Sequence, residues 1–79
     1  MENWTQRRWE KDTRYYEARI HQDLWGNWVV TRIWGRIGAK LGRIVHTPCT
    51  SYENALRELD AIAKRRQSRH YQPVTKVLY

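Results

Sequence analysis

From Arg14 to Asp23 apolar and polar side chains alternate. Tyr16, Ala18 and Ile20 fall on one side of an extended chain and Tyr15, Glu17, Arg19 and His21 on the other, the two-residue period of a half-buried strand. Leu24-Trp25-Gly26-Asn27 supplies the glycine and asparagine that tolerate positive φ, so a hairpin turn is expected there. Asn27 to Trp34 returns as a second strand rich in β-branched and aromatic residues. Val29, Thr31 and Ile33 form one of its faces and Trp28, Val30, Arg32 and Trp34 the other. Both carry apolar groups, and we assign the Ile33 face to the interior. Gly35, Gly38 and Gly42 break the pattern, Gly42 to Thr47 forms a third strand around Ile44 and Val45, and Pro48 ends it by removing a ladder donor.

At Thr50 the period changes from two to three or four. Tyr52, Ala55, Leu56, Leu59, Ile62 and Ala63 make one apolar stripe, which predicts a helix from Thr50 to Arg66 with Thr50 and Glu53 at capping-box spacing. A stripe of this kind has to lie on the sheet. The helix closes on Lys64-Arg65-Arg66, followed by Arg69 and His70, a basic cluster that either complements the negative end of the helix dipole or, packed this closely, serves a polyanion. Residues 1–13 are charged and mixed, with Trp4 and Trp9 as their only large apolar groups, spaced five apart and so matching neither period. They are read as an N-terminal arm whose tryptophans dock singly on the body or serve a partner. Residues 14–71 form the domain and 72–79 a C-terminal tail, in which Pro73, Val74, Lys76 and Leu78 either add a short edge strand or trail in solution.

Composition narrows the class. With 79 residues the chain makes one domain, and its five tryptophans and five tyrosines, without a phenylalanine, give nearly every large ring a polar handle. The single cysteine, Cys49, cannot form an internal disulfide, and no apolar run approaches the roughly 18 residues of a membrane span, so the expectation is a cytoplasmic protein, nucleoid-associated if bacterial, with no membrane partner. The net charge of +7 is unevenly placed: acids and bases cancel up to Asp23, whereas from Leu24 onward ten bases face only Glu53, Glu58 and Asp60. An uncompensated basic field attracts polyanions.

Candidate chemistry converges on Arg32 to Arg43. A strand-like run ends in Trp34, Gly35 and Arg36 follow, and Lys40 and Arg43 lie among the glycines. An indole stacks on any base, a glycine lets the backbone approach a ligand, and a guanidinium forks two donors onto a phosphate. Arg32 shares a face with Trp34 if the strand is regular. The DNA-binding residues expected from this stretch are Arg32, Trp34, Gly35, Arg36, Lys40 and Arg43. His46 and Cys49 are too few for a zinc site, no motif surrounds Cys49 as a nucleophile, and the glycines do not spell a phosphate loop, so neither cofactor, metal, small-molecule substrate nor enzyme activity is expected.

Trp34-Gly35-Arg36, preceded by Arg32, followed by Ile37-Gly38 and then by Ser51-Tyr52-Glu53-Asn54-Ala55 opening an amphipathic helix, resembles the WGR domain over roughly residues 14–71. The resemblance implies an α+β fold, a small antiparallel β-sheet with one helix packed across a face. It also implies DNA binding at breaks, as in poly(ADP-ribose) polymerases that carry such a domain, with Trp34 against sugar and base near a strand end and Arg36 on DNA or a neighbouring domain. This chain has no room for the catalytic domain of those enzymes. The expectation is thus a non-catalytic module for DNA ends or breaks, independent of sequence. The alternatives are a protein-interaction module docking through Trp4, Trp9 and the Trp34 region on an acidic partner, and RNA binding through the same ring and cations.

Overall fold

The computed structural model describes residues 5–74. Its centre is the long hairpin of β2 (Arg14–Gln22) and β3 (Trp28–Arg36), paired antiparallel so that Ile20 faces Val30, Ala18 faces Arg32 and Tyr16 faces Trp34. Asp23 locks the turn between them. Its carboxylate accepts from the backbone amides of Trp25 and Asn27, both at 2.9 Å, while Gly26 takes φ +82°. These hydrogen bonds, led by the one from the Asn27 amide, hold the Asp23 carboxyl below its ordinary range.

On the other side of β2 lies β1 (Thr5–Lys11), joined through a tight turn at Asp12 and Thr13, with Trp9 opposite Tyr16. The reading of residues 1–13 as an arm fails for this stretch: residues 5–11 form a sheet strand, and Trp9 is a core residue. Trp9 alone is apolar on its side of the strand, so no period betrayed it. Trp4 lies outside the described residues. β4 (Arg43–Cys49) pairs with β3 and continues through Pro48, which faces Val29. It is an edge strand, and an edge tolerates a missing donor. β5 (Gln72–Val74) pairs with β1 at the opposite edge, giving the antiparallel order β4-β3-β2-β1-β5. The edge-strand option for the tail thus holds over these three residues, while residues 75–79 lie outside the described region.

The helix α1 (Tyr52–Ser68) leaves one edge of the sheet and delivers the chain to the other, so it crosses the face between them. Ala55, Leu59 and Ile62 from the helix meet Trp9, Tyr16, Ala18, Ile20 and Val30 from the sheet. The architecture is α+β, a five-stranded antiparallel sheet with one helix across it. The interior face of β3 is therefore the one with Val30 and Trp34, and the assignment of the Ile33 face is corrected. Cross-strand partners share a face, and the hairpin couples Val30 to Ile20 on the apolar side of β2.

Both helix ends depart from the sequence reading in detail. The N-cap is Ser51, not Thr50, because its hydroxyl accepts from the Asn54 amide at 3.0 Å. At the C-terminus His70 takes φ +68°, its amide donating to Gln67 and that of Tyr71 to Arg66, the paired bonds of a Schellman stop. That left-handed position favours glycine. His70→Gly is expected to raise stability by about 0.5–1 kcal/mol, read as a higher denaturant midpoint at unchanged slope.

Among the described residues the outer face of the sheet carries no helix, and polar side chains tie it together. Glu17, only 4% exposed, accepts from Arg8 at 2.5 Å and from Arg19 at 3.2 Å. Partial burial works against the charge of Arg8, but the hydrogen bonds and charges of Glu17 and Glu10 outweigh it and hold the guanidinium above its usual range. Beside this network the Thr31 hydroxyl lies between His21 Nε2 at 2.6 Å and His46 Nδ1 at 2.8 Å.

Candidate functional site

Trp34 sits near the end of β3 on the helix-facing side, half-buried, its ring stacked on Tyr16 with centroids 5.6 Å apart and planes 12° from parallel. The strand register puts Arg43 directly across from Trp34, and Arg32 two residues back on the same face. The structure therefore brings Arg32, Trp34 and Arg43 together. Gly35 and Arg36 join Trp34 in lining a shallow depression of about 180 Å³, completed by Arg14, Tyr15 and Tyr71. Lys40 is exposed in the loop between β3 and β4.

The two glycines that flank this loop fit against each other. A Cβ on Gly35 would stand 3.2 Å from Gly42 Cα, and one on Gly42 would stand 2.8 Å from the Trp34 carbonyl oxygen and from the Tyr15 hydroxyl. The close approach that Gly35 permits is thus to its own chain, and it sets where the motif sits. Gly42→Ala must push back the Trp34 backbone, and we expect a loss of about 1–3 kcal/mol, seen as a melting temperature lower by roughly 5–15 °C. The loop is also tied to the β1–β2 turn, since the Ile37 amide donates to the Thr13 carbonyl at 2.7 Å.

Three segments converge at this end of the sheet: the β1–β2 turn with Lys11 and Arg14, the β3–β4 loop with Arg36, Lys40 and Arg43, and the helix C-terminus from Lys64 to Arg69. Lys11 bridges two of them, its Nζ donating to the Arg69 carbonyl at 3.0 Å. Among the described residues the opposite end, from Ile20 to Val30 and from Thr47 to Leu56 with Thr5 beside them, contains no lysine or arginine, only the acids Asp23 and Glu53. Of the bases that the sequence places after Leu24, Arg36, Lys40, Arg43 and those from Lys64 to Arg69 lie at this end, beside Lys11 and Arg14 from the balanced half.

Arg14 and Tyr71 line the depression without having been expected there, and Arg66, read from the sequence only as one of a run of basic residues at the helix end, turns toward the same rings. Arg14 becomes visible once β2 is paired with β3, because it stands opposite Arg36. Arg66 follows Ile62 by four residues and so continues the buried stripe of the helix. By contrast, His46 lies on the outer face and Cys49, three residues on, on the inner one, so they do not converge. Burial, aided by the negative charge of Glu58, pushes the Cys49 thiol up, which keeps it protonated rather than nucleophilic near neutrality.

The model of the WGR domain family matches residues 2–77. This match covers nearly the whole chain, which belongs to the WGR domain family. That family is one of nucleic-acid-binding modules and not of catalytic ones. No curated protein and no solved structure gives a significant match to the chain.

Proposed function

We propose that this WGR domain is a non-catalytic DNA-binding module that recognises ends or breaks rather than sequence, through Arg32, Trp34, Gly35, Arg36, Lys40 and Arg43. The observation that carries the reading is the coincidence, at one end of the molecule, of a half-buried indole, a depression that it lines and cations from three segments. A duplex terminus offers what such an end can take, a sugar and base face that the stack hides elsewhere and phosphates on either side of it. Stacking on Trp34 tolerates any base, and the surrounding guanidinium and ammonium groups meet the backbone without reading the grooves.

The test is equilibrium binding at about 150 mM salt to a short blunt duplex, its closed hairpin counterpart and a circle. Wild type is expected to prefer open ends, and Trp34→Ala to lose about 1–3 kcal/mol of that affinity, roughly five- to 150-fold, with its fold retained. Equal and weak binding to all three substrates overturns the reading, and tighter binding to structured RNA at equal salt replaces it.

Protein interaction is favoured by a different observation from the one expected. Trp9 is 5% exposed and has no surface to offer, whereas Leu24 and Trp25, at the tip of the β2–β3 hairpin, are 94% and 81% exposed. A protein partner would find its apolar anchor there, at the end away from the motif.

A further inference from the structure

Arg66 is unlike the other cations at the end of the helix. Lys64, Arg65 and Arg69 are exposed, but Arg66 is half-buried in the stripe that Ala55, Leu59 and Ile62 begin, where an apolar residue would be the simple choice. Its guanidinium carbon lies 4.1 Å from the ring centroid of Tyr16 and 4.9 Å from that of Tyr71. Tyr16 in turn stacks on Trp34 and meets Tyr71 edge-on at 6.5 Å. The backbone repeats the link, because the Arg66 carbonyl accepts from the Tyr71 amide at 2.9 Å in the helix stop. Schellman stops commonly bring an apolar pair together at these two positions. Here a guanidinium and a phenol ring take their place. Arg66 Nε is buried with no hydrogen-bond partner among the described residues, so this nitrogen gives up hydration where the guanidinium lies against rings.

We propose that Arg66 is a positioning residue of the nucleic-acid interface. Through Tyr16 it holds the plane of Trp34, and through Tyr71 it holds one wall of the depression, without itself contacting phosphate. The proposal rests on the function argued above. A ring at the open end of a sheet has alternative rotamers, and each one removed before binding is an ordering cost not met on binding. A planar guanidinium can lie flat on a tyrosine ring, whereas the ammonium of lysine is a compact, strongly hydrated point charge. Charge alone does not replace it.

The experiment compares wild type, Arg66→Lys, Arg66→Met, Trp34→Ala and the Arg66→Met/Trp34→Ala double variant. Binding to the blunt duplex is measured at several salt concentrations between about 50 and 200 mM, the range over which the slope reports phosphate contacts. Both Arg66 variants should bind about five- to tenfold more weakly at every salt with an unchanged slope, and Arg66→Met should cost nothing further once Trp34 is gone. The indole N–H resonance of Trp34, identified by its loss in Trp34→Ala, should move in both Arg66 variants while that of Trp25, at the far hairpin tip, holds. Arg66→Lys keeps the stem and the charge, so it carries the test if Arg66→Met does not fold.

A slope shallower by about one makes Arg66 a phosphate contact and overturns the proposal. An equal loss in the Trp34→Ala background overturns it too, as does an unmoved Trp34 resonance. Wild-type affinity in the Arg66 variants beside a weakened Trp34→Ala overturns this proposal alone. Wild-type affinity in Trp34→Ala overturns the function on which it rests.

Discussion

Leu59→Asp is expected to abolish the fold. Leu59 is 3% exposed at the middle of the only helix among the described residues, in the cluster with Ala18, Ile20, Val30 and Ile62. The substitution removes about 1.5–3 kcal/mol of burial and puts a carboxylate where nothing pairs with it. Domains have only about 5–15 kcal/mol of total stability, and a small one stands near the lower end. Far-ultraviolet circular dichroism should show no cooperative melt, and duplex binding should vanish with it. Leu59→Ala supplies the scale: a loss of about 2–5 kcal/mol leaves a folded protein with a lower melting temperature. A Leu59→Asp variant that melts cooperatively would mean that the helix does not hold the sheet.

The second large effect is that of salt on nucleic-acid binding. If six of the cations at the motif end meet phosphates, the logarithm of the duplex binding constant falls with the logarithm of salt at a slope of about −5. Raising salt fourfold, from about 50 to 200 mM, then weakens binding roughly a thousandfold. Trp34→Ala should leave this slope in place, since an indole releases no counterions, whereas Arg36→Ala and Arg43→Ala should each reduce it by about one. A titration across this range separates the two kinds of residue. A slope near zero in wild type contradicts the polyanion reading altogether.

What could be read from the sequence follows physical lines. The helix was legible because its stripe runs over three turns, and the inner face of β2 because only one of its faces is apolar. The inner face of β3 was not, since Val29 and Ile33 compete with Val30 and Trp34 until the hairpin register is known. Thr50 and Ser51 are both hydroxyls fit for a cap, and only the distance to Asn54 decides between them. β1 hid for want of a second apolar residue beside Trp9.

At the motif the residue types were legible and their neighbours were not. Gly35 reads as room for a ligand, yet Gly42 and Tyr15 occupy that room through contacts seven and twenty residues distant. The run Lys64-Arg65-Arg66 reads as three like cations. Helical phase turns one of them inward, onto rings contributed by β2 and by the segment after the helix.

Among the described residues lysine and arginine gather toward the motif end, so the charge is polarised along the sheet. In the field of a polyanion such a body feels a torque before any contact, and with the interface proposed above it would arrive with Trp34 leading, so that fewer collisions are wasted on wrong orientations. The same alignment decides what faces away. A nucleic acid occupied in the proposed manner would show its surroundings the exposed indole of Trp25 and the leucine beside it in place of phosphate.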